Sequence, residues 1–510
     1  MCSAGTISKS QNPGNISLDN LANDSSASLL NSYSAPVFST FSLLLADAED
    51  IECYEVVRVV TGRRLVCRGI WCGKQVFAKI FFGTQAAKYY QRELDGLNRL
   101  QAANVLTPAL LFTGRSKDDT AYVIISEAIN GARNADECLK QADETERLVL
   151  AKRLIQAVAE HHRAGLIQTD LYPKNFLIQG DHVYTIDGDA IRHLPTFFRS
   201  WFELNNLSIL LSKFDILDLK KHQSELLEAY KSVRQNLAGS PCMITWLAMW
   251  HRHKTMRTYA DKKVFRQCSD VAVTQTQDSY LAINRTCDEQ AIASQMQNPD
   301  VLLNAASSTM LKLGNTCTIG MVTLGGMRAV VKRYNIKNFW HGLGRAFRPS
   351  RAARSWANAF RLILCGISTP KPIALLEKRF FGLRREAYFV SEFVDALDVA
   401  QFFEVENDAN HRQEVAEELA NLFYKLYLLR ISHGDFKATN IKILAGSPVL
   451  LDLDSMVQHR CSWWSTLRHA RDLKRFMRNW QHQPQLQEIF KSACKARYKE
   501  HKPLKLAGII

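Results

Sequence analysis

The sequence predicts an α+β chain built from two tandem copies of one domain. At 510 residues the chain is too long for one ordinary hydrophobic core. An Asp, an Asn and a second Asp occur twice with a constant offset of 265 residues, as Asp170, Asn175 and Asp187 and as Asp435, Asn440 and Asp452. Around each set the predicted order is strands, helix, strands, helix and loop. A long repeat of this kind indicates duplicated domains.

The composition indicates globular domains with an anionic partner. Hydrophobic residues make up 46% and charged residues 23% of the chain, and the net charge is +15. No run reaches the roughly 18–20 apolar residues of a membrane span, and the N-terminus does not resemble a cleaved signal. The twelve cysteines form no CxxC pair, which argues against a zinc site and favours a reducing cytoplasmic setting.

The first copy is predicted to begin after a flexible N-terminal tail, residues 1–50, which is rich in Ser and Asn. The first domain is predicted to span residues 51–240. Strands are predicted at 56–60, 64–66, 76–82 and 122–125 from β-branched and aromatic residues between turns. Helices are predicted at 86–102 and 144–163 from their apolar periodicity.

The second copy repeats this plan within residues 301–510. Strand-like segments are 330–334 and 388–390, and helix-like segments are 352–364 and 413–429. The polar, mixed stretch 241–300 is predicted to be a linker or connecting segment.

The second copy carries the cleaner set of chemical groups, in the segment HGDFKATN followed by LLD. Transfer of a phosphoryl group to a hydroxyl needs a carboxylate that orients the hydroxyl, oxygen ligands for Mg²⁺, and cations near the transferring group. Asp435 suits the first task, Asn440 and Asp452 suit the second, and Lys437 suits the third.

The first copy keeps this spacing but moves the loop cation. Asp170 is the predicted base, and Asn175 and Asp187 are the predicted metal ligands. Lys174 lies four residues past the aspartate, whereas Lys437 lies two residues past Asp435. For one copy alone, an Asp/Asn turn between two strands is the competing interpretation, and the repeat argues against it.

HGDFKATN with LLDLD, and QTDLYPKN with IDGD, resemble the protein-kinase-like fold. In particular they are similar to the bacterial lipopolysaccharide kinase family, which phosphorylates heptose or Kdo sugars of the core. The stretches AVVKRYN, SRAARSWANAFRL and GISTPKPIAL resemble that family's N-terminal lobe. The resemblance implies two protein-kinase-like domains, each with a small β-rich N-lobe and a mostly helical C-lobe, that use ATP and Mg²⁺.

The resemblance also implies residues that hold ATP. Lys79 and Lys332 correspond to the strand lysine that contacts the phosphates, and Glu93 corresponds to its helix partner, although a solvated helix charge is the alternative for Glu93. Aligning the two copies places Ser355 opposite Glu93, and no carboxylate lies nearby. We therefore expect Lys332 to lack its ion pair.

Glu127 and Glu392 end apolar strands where the hinge of this fold would lie. Their backbone is a candidate for binding adenine, and a surface-facing strand end is an equal alternative.

The leading hypothesis is an ATP-dependent kinase acting on a heptose or Kdo hydroxyl of the lipopolysaccharide core. Its expected partners are the core or a lipid-linked saccharide and an anionic membrane surface, at the cytoplasmic face of the inner membrane; no nucleic-acid motif is present. Residues 460–510 supply twelve Lys/Arg against three acids for such contacts. Two alternatives remain open: one half is a non-catalytic regulator, or the chain is a protein kinase with Ser, Thr or Tyr acceptors.

Overall fold

The structure, a computed structural model, describes residues 30, 33, 37–235, 239–314, 316–335, 349–380 and 383–510. The chain divides into two compact units. The first is Met1–Phe214 with Lys221–Ala248, and the second is Asp215–Lys220 with Met249–Ile510. Each unit contains one large antiparallel sheet and a helix-rich part, which confirms the predicted α+β class.

The sheet of the first unit has six strands in the order β1-β2-β3-β4-β6-β5. Its strands are β1 (Val37–Leu43), β2 (Ile51–Val60), β3 (Arg64–Trp71), β4 (Lys74–Phe81), β5 (Leu110–Arg115) and β6 (Tyr122–Glu127). Most of the predicted tail lies outside the described residues, but its end forms β1, which pairs with β2. On β4, alternate residues Val76, Ala78 and Ile80 are buried in the core, so Lys79 lies on the opposite face.

Helix α1 (Ala86–Ala102) packs closely against the loop after Asp187. A Cβ added to Gly96 would lie 1.8 Å from the carbonyl oxygen of Gly188, so only glycine permits this approach. Leu97 and Leu100 are buried on the same helix. This packing places the middle of α1, including Glu93, beside the predicted metal ligand.

The rest of the first unit is mainly helical, with short strand pairs around the predicted catalytic loop. Its elements are β7 (Arg133–Asn134), α2 (Ala135–Gln141), α3 (Glu144–Arg163), β8 (Leu166–Gln168), β9 (Phe176–Gln179), β10 (His182–Thr185), β11 (Ile191–His193) and α4 (Arg199–Leu211). A capping box between Asp143 and Glu146 starts α3. The division between the units falls within the next two helices, α5 (Ile216–Lys231) and α6 (Pro241–Asp261).

Residues 241–300, the predicted connecting segment, contain regular structure that belongs largely to the second unit. Besides α6 they form β12 (Val271–Gln275), β13 (Ser279–Asn284), α7 (Glu289–Gln295) and the start of α8 (Pro299–Asn304). Alternate apolar residues of the two short strands are buried, among them Val271, Tyr280 and Ala282. Such short alternations are hard to see within a polar stretch of sequence.

The sheet of the second unit has seven strands in the order β12-β13-β17-β18-β16-β15-β14. The other strands are β14 (Thr309–Lys312), β15 (Cys317–Leu324), β16 (Met327–Tyr334), β17 (Pro372–Phe380) and β18 (Leu383–Glu392), and α9 (Arg351–Leu364) packs on the sheet. The order β14-β15-β16-β18-β17 repeats β2-β3-β4-β6-β5 of the first unit. The copies differ at the edges, where the first adds β1 and the second adds the β12-β13 hairpin.

The helix-rich part of the second unit surrounds an aromatic core. Its elements are β19 (Leu397–Asp398), α10 (Val399–Val405), α11 (Ala409–Leu428), β20 (Ile431–Ser432), β21 (Ile441–Leu444), β22 (Ser447–Leu450), β23 (Val457–Gln458), α12 (Ser462–Met477), α13 (Pro484–Arg497) and α14 (His501–Ala507). Phe436, next to the predicted base, packs edge-on against Phe423 and near Phe476. The core thereby holds the predicted catalytic loop against α11 and α12.

Candidate active site

The predicted catalytic loops fold in the same way in both copies. The Asn175 side-chain amide donates to the backbone oxygen of Asp170 at 2.7 Å, and the Asn440 amide donates to that of Asp435 at 2.8 Å. Since the amide nitrogen is used as a donor, the side-chain oxygen of each asparagine stays available as an acceptor or metal ligand. The duplication predicted from sequence spacing therefore extends to individual hydrogen bonds.

The second aspartate of each set also adopts a repeated backbone conformation. Asp187 has φ 77° and Asp452 has φ 53°, both in the left-handed region that side-chain-bearing residues seldom adopt. Each lies just after the hairpin that follows the asparagine. Strain of this kind, present at the same place twice, is typical of functional positions.

In the first copy, the predicted phosphate-binding lysine reaches both carboxylates around it. Lys79 Nζ forms a short ion pair with Glu93, and it lies 3.8 Å from Asp187 Oδ1. Arg64 Nη1 lies 3.8 Å from Glu93 and 3.9 Å from Asp187. The structure thus brings three predicted residues together, and it adds Arg64, which the sequence did not single out.

Glu93 is completely buried, which removes the solvated-helix alternative. Its two oxygens accept hydrogen bonds from the backbone N–H groups of Gly188, at 3.0 Å, and Asp189, at 3.1 Å. A buried carboxylate needs such partners because an unpaired charge in the interior is costly. Glu93 therefore joins the sheet lysine to the loop that carries Asp187.

The charges in the first copy keep Asp187 ionised. Burial alone would raise the pKa of Asp187, but the charges of Lys79 and Arg64 outweigh burial and lower this pKa below its usual value. Asp187 Oδ1 is buried and accepts no hydrogen bond within the described part of the chain. An ionised carboxylate whose Oδ1 accepts no hydrogen bond from the described residues is suited to bind a metal ion.

In the second copy, the sheet lysine is paired with two aspartates, so the expectation that Lys332 lacks an ion pair is wrong. Lys332 Nζ lies 2.5 Å from Asp452 and 3.3 Å from Asp454. Arg351, at the start of α9, also contacts Asp454, at 2.7 Å. The motif LLDLD contains Asp454, but the spacing that selects Asp452 gives Asp454 no role. The missing helix glutamate is replaced by a loop carboxylate.

Ser355 occupies the helix position that the sequence alignment placed opposite Glu93. It is buried, and its hydroxyl lies 3.0 Å from that of Tyr334. One turn later, the Asn358 amide donates to the backbone oxygen of Leu453, the second-copy equivalent of Gly188. Helix α9 therefore packs on the same loop through the hydrogen-bonding side chain of Asn358, where α1 uses a close glycine contact.

The two predicted bases differ in their surroundings. Asp170 is exposed, and its carboxylate has no hydrogen bond or ion pair within the described residues. Asp435 forms a short ion pair with Arg475 of α12, and Lys437 Nζ lies 3.4 Å from Asp435 Oδ1. The first carboxylate is open to an incoming hydroxyl, whereas the second is covered by two cations.

The residue two positions before each base also differs. His433 places Nε2 2.8 Å from the backbone oxygen of Leu451 and so ties the loop to the hairpin. The equivalent Gln168 is fully buried, and its side-chain atoms have no hydrogen-bond partner in the described parts of the chain. The first copy has lost this tie.

A further aspartate that the sequence did not single out supports the second loop. Asp472 of α12 accepts from the backbone N–H of His433 at 2.6 Å and from that of Gly434 at 3.1 Å. In the first copy, Asn206 of α4 instead donates to the backbone oxygen of Gln168 at 2.8 Å. These contacts join residues distant in sequence, and no local motif marks them.

Three predicted residues lie apart from these groups. Lys174 is exposed, with its Nζ 5.2 Å from the ring centre of Tyr172. Glu127 and Glu392 end β6 and β18 with exposed side chains. Their backbone N–H groups donate within the sheets, to Ala109 and Lys371 respectively, so these donors are not free for adenine.

The Asn–Asp sets fit Mg²⁺ in their chemistry. Carboxylate and amide oxygens are hard ligands, and Mg²⁺ is commonly held by one or two such groups together with phosphates and waters. Asp187 Oδ1, which accepts no hydrogen bond within the described residues, and the side-chain oxygen of Asn175 supply such a pair in the first copy. Within the described residues no cluster of three or more His, Cys, Asp or Glu forms a complete metal cage.

None of the helices in the described ranges is both long and apolar enough to span a bilayer.

Comparison with known proteins gives a family. The profile of the "Lipopolysaccharide kinase (Kdo/WaaP) family" matches residues 63–230 and 311–495, one segment in each copy. A solved structure titled "WaaP in complex with acyl carrier protein" is 21% identical, with 40% of this chain and 88% of that chain covered and a TM-score of 0.30. No curated protein sequence matches. Since the matched segments make up more than half of the chain and each contains one Asp–Asn–Asp set, the chain belongs to the lipopolysaccharide kinase (Kdo/WaaP) family, in tandem duplication and with protein-kinase-like domains.

Proposed function

We propose that the chain is an ATP- and Mg²⁺-dependent kinase that phosphorylates a sugar hydroxyl, on heptose or Kdo, of the lipopolysaccharide core. The observation that carries this proposal is the first-copy arrangement in which Lys79 contacts Glu93 and Asp187. Membership of the lipopolysaccharide kinase family supports the saccharide acceptor. That acceptor is membrane-linked, so the proposed location is the cytoplasmic face of the inner membrane, with the protein peripheral to an anionic surface.

The proposed role of each side chain follows from its contacts. Lys79, positioned by Glu93, would hold the nucleotide phosphates, and Asn175 and Asp187 would hold Mg²⁺. When bound, Mg·ATP supplies the phosphoryl group and offsets its charge. Asp170 is exposed and has no hydrogen bond or ion pair within the described residues, so its carboxylate would orient the acceptor hydroxyl and hold the proton that the hydroxyl releases.

A second candidate role concerns the second copy alone. Lys332 is drawn onto Asp452 and Asp454, and Asp435 is covered by Arg475. Nucleotide and acceptor would have to displace these ion pairs before transfer. We therefore propose that the first copy carries the transfer and that the second copy is regulatory unless its ion pairs open.

The test is transfer from ATP to purified core oligosaccharide by the full chain, with mass spectrometry of the product. The isosteric double variant Asp170→Asn/Asp435→Asn should abolish transfer, and unchanged transfer would contradict the proposal. Labelled ATP with a protein extract distinguishes the protein-kinase alternative, which predicts labelled protein and unlabelled core. The position of the added phosphate identifies heptose or Kdo.

A further inference from the structure

A cavity of about 530 Å³ lies beside the second catalytic loop, in the second unit. It is bounded on one side by Gly434 and Ser455 and on the other by α12. Gly434 has φ 83°, and a Cβ there would lie 2.9 Å from the backbone oxygen of Ser455. The tight loop thus places the cavity next to Asp435, the following residue.

Five cations from one helix and its C-terminal end line this cavity, and they are Arg468, Arg471, Lys474, Arg475 and Arg478. Their spacing of three or four residues puts them on one exposed face of α12. Apart from the ion pair of Arg475 with Asp435, these five cations have no carboxylate partner within the described residues. Closely spaced like charges repel one another, which favours an anion that neutralises them.

Asp472 is the one acidic residue of the lining, and its single negative charge does not balance the five positive charges. Both oxygens of Asp472 accept backbone N–H groups, from His433 and Gly434. Burial lowers the pKa of the neighbouring His459, and the positive charge of Arg468 lowers this pKa further. The lining is therefore built to attract negative charge.

The arrangement favours phosphate over carboxylate. A phosphate group has up to two negative charges and three acceptor oxygens, so it can engage several guanidinium groups at once, whereas one carboxylate is satisfied by one bidentate arginine. The first copy has no such face. Its helix α4 carries one cation, Arg199, which is paired with Glu203 at 3.0 Å.

We propose that this cavity is a binding site for a phosphate group, carried by a saccharide or by a lipid, and that the bound phosphate takes Arg475 away from Asp435. Arg475 is the residue that both sites share, because it lines the cavity and pairs with the carboxylate. Phosphate binding and release of Asp435 are then coupled, and each must favour the other by the same factor. The proposal needs no transfer activity, so it stands or fails independently of the proposed function.

The first experiment measures binding by calorimetry. The full chain is titrated with inorganic phosphate, with a hexose phosphate, and with vesicles containing phosphatidic acid. Arg471→Gln/Arg478→Gln should weaken binding by about tenfold or more per arginine, since charge-assisted hydrogen bonds are lost. The control Lys502→Gln/Lys505→Gln removes the same charge from exposed lysines outside the cavity.

The outcomes separate the sources of the phosphate. Binding of hexose phosphate that the cavity pair weakens and the control does not supports a saccharide-borne group. The same pattern with vesicles alone supports a lipid-borne group. Equal loss in both variants, or no binding of any of the three probes, would overturn the site.

The second experiment tests the sharing of Arg475. Asp435→Asn should raise phosphate affinity several-fold because Arg475 no longer has a competing partner, and this gain should vanish in an Arg475→Ala background. A gain of equal size without Arg475 would show that only the general loss of negative charge matters. In that case the coupling between the cavity and Asp435 would be wrong.

Discussion

The two copies have the same order of five sheet strands and the same loop hydrogen bond, but they differ in their ion pairs. In the first, the sheet lysine Lys79 is paired with a buried glutamate from a helix, and its Nζ lies 3.8 Å from Asp187 Oδ1. In the second, Lys332 is paired with aspartates of the loop itself. The comparison shows that the same fold can pair its sheet lysine with a carboxylate of the helix or with a carboxylate of the loop. In the first arrangement the sheet lysine is nearest to the helix glutamate, and in the second it is nearest to the candidate metal ligand Asp452.

The largest difference should come from the two lysines. Lys79→Met should lower kcat/KM for core phosphorylation by about a hundredfold or more, because a positioned charge on the transferring group is lost. The matched Lys332→Met should change it by about threefold at most. Steady-state kinetics with the full chain measure both, and equal losses would show that the copies contribute alike.

Removing the side chain that holds each catalytic loop should lower the local free energy of unfolding by different amounts in the two copies. Asp472→Ala leaves the buried N–H of His433 and the N–H of Gly434 without their charged acceptor, so it should cost about 2–4 kcal/mol locally. Asn206→Ala, the equivalent change in the first copy, removes neutral hydrogen bonds and should cost about 1–2 kcal/mol. Hydrogen exchange of peptides from each loop gives these energies. A larger cost at Asn206 would reverse the comparison.

The helix position opposite each lysine gives a smaller effect. Glu93→Gln keeps the size of the side chain but removes its charge, so Lys79 is held less firmly and kcat should fall by about tenfold. Ser355→Ala should leave transfer unchanged, because Ser355 bonds Tyr334 and not the lysine. If Ser355→Ala lowered kcat as much as Glu93→Gln, Ser355 would have a role in transfer that its contact with Tyr334 does not explain.

The last difference is confined to acidic pH and has no effect at neutral pH. Burial lowers the pKa of His162 to about 4, from an ordinary value near 6.5. Between these two values the unfolded chain binds a proton that the native unit does not, so the free energy of unfolding falls as the pH falls. His162→Gln should reduce the dependence of this free energy on pH by about 1.4 kcal/mol per pH unit. Hydrogen exchange should show the change in peptides of the first unit and none in peptides of the second. A parallel change in both units would contradict a local cause.

The sequence predicted what local spacing and periodicity encode. The duplication, the α+β class and the Asp–Asn–Asp sets are visible because their residues lie close together along the chain. The partners of Lys332 and Asp435 were not predicted, since Asp454 and Arg475 reach them only through folding. The prediction for Lys332 was wrong because it considered only carboxylates of the helix, whereas Asp454 is on the loop.

The central claim is that the two copies are unequal and that the first carries the transfer. Two full-length variants, Asp170→Asn and Asp435→Asn, test it most directly when ATP-dependent phosphorylation of core oligosaccharide is measured side by side. We expect Asp170→Asn to lose nearly all transfer and Asp435→Asn to keep most of it. Loss with Asp435→Asn and retention with Asp170→Asn would contradict it.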